Sequence, residues 1–325
     1  MLISQIGGEF ELIKRIAGKK ICDPKVIKGI GDDAAVLRCA AGKYMLFATD
    51  MIVENNHFRI GWHSPLQIGK KLMESNVSDI VSMGGVPKYA LVSLALKKRT
   101  SVEFVKELYR GLNISAARHG VLILGGDTTR AEDYAFNLAL IGNVKKPLLR
   151  MRSGAKAGDL ICVTGNLGKS AAGLRVLEKY KRPKAGMMKY IKKHLEPVSR
   201  SAQIGGLIAK YANAMIDVSD GLASEVSHIC KESKAGAKIE WEKIPLSKTT
   251  RAAAEMTKSD PHEMALYGGE DFEIVFTMPS GNLKNLRSKF TDFSVVGEIL
   301  KKEAGVLLVK NGKRLPIGRG FNHFR

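Results

Sequence analysis

Hydrophobic positions are spaced along the chain in two ways, which predict alternating strands and helices. Runs rich in β-branched and aromatic residues, typical of strands, occupy residues 44–49 and 89–96, and the first ends at Asp50. Between them, residues 68–83 carry apolar side chains at helical spacing. This alternation favours an α/β or α+β fold.

The next helix is bounded by residues suited to its ends. Ser101 can accept a hydrogen bond from the first turn, and Gly120 can adopt the left-handed conformation that often follows a helix. The apolar face between them comprises Val105, Leu108 and Leu112. Residues 121–124 then predict a strand, which Gly125-Gly126-Asp127 follows at once.

The chain divides into two predicted domains. Residues 145–159 are rich in Lys, Arg, Gly and Pro, so we place a boundary that gives domains 1–148 and 149–325. The total of 325 residues suits two domains. Further strands are predicted at residues 135–144, 160–164, 271–277, 293–299 and 305–309.

The composition is that of an ordinary globular protein, with 45% hydrophobic and 26% charged residues. No run is long enough to predict a membrane span, and the N-terminus lacks the pattern of a signal peptide, so we expect a cytoplasmic protein. The four cysteines have no Cys-x-x-Cys spacing, which argues against a zinc or dithiol site.

The net charge of +20 has three possible meanings. It is compatible with nucleic-acid binding, with a lysine-rich solvated surface, or with attraction of anionic substrates. The basic runs are scattered and are not interleaved with aromatic residues as in a stacking surface. We therefore favour the solvated surface and expect no nucleic-acid partner.

A set of aspartates, each close to Gly, Ser or Thr, is the main chemical feature of the sequence. Any one of them is explained as a turn residue or a helix cap. Together, glycine-rich loops that approach phosphates and carboxylates that bind Mg²⁺ indicate a nucleotide–magnesium site. The motifs of P-loop proteins, dinucleotide-binding folds and protein kinases are absent from the sequence.

The order of these motifs resembles the thiamine-monophosphate kinase family, in the superfamily that includes aminoimidazole ribonucleotide synthetase. The matching segments span nearly the whole chain. They include Gly-Ile-Gly-Asp-Asp at 29–33, Asn-Val-Ser-Asp at 76–79, Gly-Gly-Asp-Thr-Thr at 125–129 and Ile-Asp-Val-Ser-Asp-Gly at 216–221.

The resemblance implies two α/β domains, with N-terminal domains that dimerise through strands forming a shared barrel. It implies ATP and thiamine monophosphate as substrates and Mg²⁺ as cofactor. It also implies direct phosphoryl transfer without a general base, since the accepting phosphate is already anionic. The predicted metal ligands are Asp33, Thr49, Asp50, Asp79, Asp127, Asp217 and Asp220. The predicted ATP contacts are Tyr109, Gly126, Asp127, Arg152 and Ser219. The predicted acceptor contacts are His57, Glu270 and Phe321.

Two positions depart from the family pattern. Phe321 stands where the family usually has Trp or Tyr, and Glu196 stands where it usually has Arg. If the residue at position 196 contacts the substrate, the acceptor would differ from that of the family. If it lies on the surface, the change says nothing about the acceptor. A same-fold ATP-dependent enzyme acting on another phosphorylated metabolite is thus the alternative. Selenophosphate synthetases and hydrogenase maturation proteins are disfavoured because their characteristic cysteines are missing.

Overall fold

The first half of the chain builds one sheet of six strands. The computed structural model describes residues 5, 9–16, 23–39, 42–181 and 185–317. The strands are β1 (Val26–Lys28), β2 (Ala35–Arg38), β3 (Lys43–Val53), β4 (Val86–Leu96), β5 (Leu122–Arg130) and β6 (Ala135–Lys145). Their order is β1-β2-β3-β6-β4-β5, antiparallel except for the parallel pair β4–β5. Among the described residues this sheet has two edges and does not close into a barrel.

Among the described residues, the first half also forms three helices, α1 (Glu9–Ile16), α2 (Pro65–Ser82) and α3 (Val102–His119). The predicted ends of α3 are confirmed, with Ser101 accepting from the Phe104 amide and Gly120 in the left-handed conformation at φ 68°. Helix α2 begins earlier than predicted, because Ser64 and Gln67 form a reciprocal capping pair around Pro65.

One face of the first sheet is open and partly apolar. Along β3, Leu46 and Ile52 are buried beneath the helices, whereas the alternate residues Phe47 and Met51 are 38% and 54% exposed. Strand pairing places further exposed side chains on the same side. The open face comprises Phe47, Thr49, Met51, Tyr89, Leu91 and Leu122.

The second half builds a seven-stranded sheet. Its strands are β7 (Leu160–Thr164), β8 (Ala214–Asp217), β9 (Gly236–Glu240), β10 (Ile274–Met278), β11 (Phe293–Leu300), β12 (Val306–Lys310) and β13 (Lys313–Pro316). Their order is β13-β12-β9-β11-β7-β10-β8, with β9 and β12 parallel. The helices are α4 (Lys169–Tyr180), α5 (Met188–Leu195), α6 (Ala202–Ala209), α7 (Leu222–Ser233), α8 (Lys248–Thr257), α9 (Pro261–Tyr267) and α10 (Leu283–Arg287). The protein is thus a mixed α/β fold of two domains.

The two halves pack closely through α2. This helix lies against the first sheet and also contacts β8, α5 and α6 of the second half. Buried residues of both halves, such as Val81 and Met215, belong to one hydrophobic cluster. Among the described residues, no helix is both long and apolar enough to cross a membrane.

Several predicted strand boundaries are wrong, including the start of β4, which lies at Val86 rather than at residue 89. Strand β3 continues beyond Asp50 to Val53, so this aspartate lies within a strand. Gly125-Gly126-Asp127 lies inside β5 rather than after it, because Gly126 lets the two backbones approach: a Cβ there would lie 1.7 Å from the Val92 carbonyl oxygen. Strand β10 begins only at Ile274, since the segment before it contains residues with positive φ, which interrupt an extended strand.

Candidate active site

Three carboxylates from distant parts of the chain converge beside α2. Asp33 lies in the loop before β2, Asp79 in α2 and Asp217 at the end of β8. One carboxylate oxygen from each lies within 4.8 Å of the others. We call Asp33, Asp79 and Asp217 the carboxylate cluster.

Hydroxyl and guanidinium groups orient the cluster. Ser82 Oγ donates to Asp33 Oδ2 at 2.5 Å, and Ser78 Oγ donates to Asp217 Oδ2 at 2.7 Å. The Arg152 guanidinium binds Asp33 Oδ1 through Nη2 at 2.5 Å and Nε at 3.0 Å. Because α2 presents Ser78, Asp79 and Ser82 at helical spacing, this helix supplies both hydroxyl contacts and one of the three carboxylates.

The electrostatics of the cluster favour a bound cation. Burial raises the pKa of Asp79 well above its usual value, and the Asp50 and Asp217 charges raise it further. Burial followed by the Asp33 charge also raises the pKa of Asp217, and the same two causes raise the pKa of Asp32 to about 7. Several carboxylates are thus held together away from water, and a divalent ion with oxygen ligands would relieve their repulsion.

Thr49 and Asp50 are adjacent on β3 but face opposite sides of the sheet. The Asp50 amide donates to Asn76 Oδ1 at 3.0 Å, and its charge acts on Asp79. Thr49 lies on the open face and accepts a hydrogen bond from Asn137 at 2.9 Å. Among the described residues, neither side chain belongs to the group whose oxygens meet within 4.8 Å.

The loop after β8 carries Ser219 and Asp220 beside the cluster. The Asp220 amide donates to Glu225 Oε1 at 2.8 Å. Burial, with the charges of Asp220 and Asp217, raises the pKa of Glu225 well above its usual value. Sequence reasoning missed Glu225, and the available signal was its place in the first turn of α7, where carboxylates are common.

The predicted acceptor residues His57 and Glu270 are both contacted by Lys71. Glu270 has φ 64°, and its amide donates to the Ser219 carbonyl oxygen at 2.8 Å. Its carboxylate lies 2.6 Å from Lys71 Nζ, which also donates to the His57 carbonyl oxygen. Sequence reasoning missed Lys71, which carries no local signal. Phe321 lies outside the described residues.

Comparison with known proteins places this chain in a family. Models of AIR synthase related proteins match residues 31–144 as the N-terminal domain and 156–310 as the C-terminal domain. The chain is 37% identical to the thiamine-monophosphate kinase of Buchnera aphidicola subsp. Acyrthosiphon pisum, over 97% of this chain and 98% of the relative. It belongs to the thiamine-monophosphate kinase family.

Two further family members match over almost their full length. The thiamine-monophosphate kinase of Bacillus subtilis is 33% identical, over 98% of this chain and 99% of that relative. The solved structure of AaThiL complexed with AMPPCP and TMP superposes with a TM-score of 0.86, at 32% identity over 99% of each chain. The fold of the described residues therefore agrees with that of a family member in both domains.

The residues that the family resemblance predicts to contact ATP lie in separate parts of the structure. Arg152 touches the carboxylate cluster, whereas Gly126 and Asp127 lie on the exposed edge strand β5. The Asp127 carboxylate accepts a hydrogen bond from the Thr128 amide at 2.8 Å. Tyr109 lines an open groove of about 580 Å³ along α3.

The departure from the family pattern at position 196 has a structural role. Glu196 Oε2 lies 2.9 Å from Lys70 Nζ, and Glu196 Oε1 accepts from Gln67 Nε2 at 3.1 Å. The side chain therefore links the end of α5 to the first half of α2. The negative charge at position 196 is thus paired within the protein.

Proposed function

We propose that this protein transfers the γ-phosphoryl group of ATP to the phosphate of thiamine monophosphate. The observation that carries the proposal is the junction of the carboxylate cluster with the Glu270 segment through the loop holding Ser219. This junction brings a candidate metal–nucleotide site next to a candidate acceptor site. The family relatives, which include AaThiL complexed with AMPPCP and TMP, support the same assignment.

The metal ligands in this proposal are oxygen atoms only, which suits Mg²⁺. Asp33, Asp79 and Asp217 hold the ion, and the carboxylates that complete the site are Asp50, Asp127 and Asp220, with Thr49 nearby. When bound, Mg²⁺ would neutralise negative charge on the transferring phosphates. Ser78 and Ser82 fix the cluster through their hydrogen bonds to two of its carboxylates.

Residues around the cluster bind the nucleotide. Arg152 supplies a fixed positive charge for a phosphate. Ser219 lies in the loop that leads into α7, and the free amides in the first turn of a helix are suited to binding an anion. Tyr109 and Gly126 are the remaining proposed ATP contacts.

Glu270, His57 and Phe321 bind thiamine monophosphate. The Glu270 carboxylate complements the positive charge of the thiazolium ring, and an aromatic residue at position 321 stacks on a ring. The accepting phosphate has a second pKa of about 6, so it attacks without a general base. Orientation and charge neutralisation provide the catalysis.

We also propose a homodimer formed through domain 1–148, with domain 149–325 outside the interface. The support is the open face: its apolar side chains, and the outer edge of β5, which has no neighbouring strand among the described residues, are suited to contact with a second copy. Closure of the two sheets into a shared barrel covers this face and brings Gly126 and Asp127 of β5 out of solvent.

A coupled assay with ATP, Mg²⁺ and a panel of phosphorylated metabolites tests the function. We expect thiamine monophosphate to have the highest kcat/KM of the panel, with one ADP formed per thiamine diphosphate. Preference for another metabolite would support the alternative of a same-fold enzyme with a different acceptor.

A further inference from the structure

Lys71 lies at the centre of the acceptor region, where it joins two segments that are far apart in sequence. Its side chain is 1% exposed. Nζ donates to the His57 carbonyl oxygen at 2.6 Å and lies 2.6 Å from Glu270 Oε1. A buried lysine is costly to desolvate unless it is paired, so both contacts stabilise its charge.

Glu270 adopts a backbone conformation that needs such support. Its φ of 64° is uncommon for a residue other than glycine. Besides Lys71, its Oε2 lies 3.4 Å from both His194 Nδ1 and Ser170 Oγ. The Lys71 contact is the shortest of these, so it contributes most to the direction of the Glu270 carboxylate.

The neighbouring histidines do not supply an alternative cation at neutral pH. Burial and then the Lys71 charge lower the pKa of His63 to about 3, and the same causes lower the pKa of His194 well below its usual value. The positive charge that faces Glu270 in this region therefore comes from Lys71.

We propose that Lys71 is a positioning residue for the acceptor, which sets the separation of His57 and Glu270 so that both reach one molecule of thiamine monophosphate. This inference rests on the proposed function. Lys71 and Asp79 are eight residues apart on α2, which separates them by about 12 Å along the helix axis and about 80° around it. The helix thereby fixes the acceptor end of the site relative to the metal end.

Lys71→Met and Lys71→Arg test the proposal, with Lys70→Met as the matched control. Lys70 is adjacent on α2 and also pairs with a glutamate, Glu196, but away from His57 and Glu270. Steady-state kinetics give the KM of each substrate, and calorimetric titration with thiamine monophosphate alone gives binding without turnover.

We expect Lys71→Met to raise the KM and the Kd for thiamine monophosphate at least about tenfold, the size expected for a lost charged hydrogen bond. The KM for ATP and all constants of Lys70→Met should stay within about twofold of wild type. Lys71→Arg, which keeps the charge with another geometry, should recover part of the binding.

Three outcomes overturn the inference. The first is unchanged binding of thiamine monophosphate by Lys71→Met. The second is an equal rise in the KM of both substrates in that variant. The third applies if Lys71→Met does not fold, and it is wild-type binding of thiamine monophosphate by Lys71→Arg. Failure of the proposed function is seen separately, because the wild-type protein would then neither bind nor phosphorylate thiamine monophosphate.

Discussion

Arg152 and Asp33 form a two-point ion pair between the start of the second half and the loop before β2. Both guanidinium contacts reach the same carboxylate oxygen, Oδ1, while Ser82 occupies Oδ2. Burial lowers the pKa of the Arg152 guanidinium, but the negative charge and hydrogen bonding of Asp33, with other nearby carboxylates, outweigh burial and raise this pKa above its usual value. A candidate phosphate contact is thus held in place by a candidate metal ligand.

Replacing Arg152 with Met should raise the KM for ATP about tenfold or more, since a charge-assisted hydrogen bond contributes roughly 1.5–3 kcal/mol. The KM for thiamine monophosphate should change little. The neighbouring Arg150 provides the control, because it donates to the backbone carbonyl oxygens of Ala212 and Pro147. Arg150→Met should lower the melting temperature without a selective effect on ATP. An equal rise in both KM values for Arg152→Met would remove Arg152 from the nucleotide site.

Asp217→Asn should reduce phosphoryl transfer by at least about 100-fold at fixed Mg²⁺, because one charged ligand and its electrostatic effect are lost. In EDTA the variant should melt no lower than wild type, since one buried negative charge has gone. Added Mg²⁺ should then raise the melting temperature of wild type more than that of the variant.

The control for that experiment is Asp133→Asn, which removes a carboxylate whose side chain is 69% exposed. It should match wild type in turnover and in its response to Mg²⁺. Ordinary turnover of Asp217→Asn at the same Mg²⁺ concentration would be incompatible with a metal site at the carboxylate cluster.

His63 should make the fold less stable as the pH falls below 6.5. Its pKa is lowered to about 3 in the folded protein, mainly by burial, and is about 6.5 when unfolded. Between these values the unfolded chain binds a proton that the folded chain does not, so acid favours unfolding. Urea unfolding at pH 7.5 and 5.5 should show wild type losing about 1.4 kcal/mol more than His63→Gln. Equal losses of unfolding free energy in wild type and His63→Gln would contradict the lowered pKa of His63.

Leu91→Glu should prevent formation of the proposed dimer. Leu91 is 49% exposed on the open face, and a charge there would be buried without a partner on association. Val102→Glu is the control, because Val102 is 72% exposed but lies on α3 outside the open face. Light scattering at micromolar concentration should give a dimer for wild type and Val102→Glu. A monomeric wild type would rule out the proposed assembly.

Local sequence signals predicted the parts of the fold that depend on a few neighbouring residues. Helix α3 could be bounded because Ser101 and Gly120 act on its own ends. The extent of β5 could not, because it depends on how closely Gly126 approaches β4, which is a contact between distant segments.

The same distinction applies to the site. Asp33, Asp79 and Asp217 were identified as candidates through an ordered set of motifs, yet their convergence requires two sheets and α2 to be in place. Lys71 and Glu225 were missed because a lysine or glutamate in a helix is usually exposed, and only tertiary packing buries these two.

Because α2 is continuous between Lys71 and Asp79, insertions and deletions in this segment would disrupt the site. One residue inserted between them would rotate every later side chain by about 100° and advance it about 1.5 Å. Ser78, Asp79 and Ser82 would then turn away from Asp217 and Asp33 together, while Lys71 kept its partners. The number of residues between Lys71 and Asp79 is therefore fixed by the contacts at both ends of the segment.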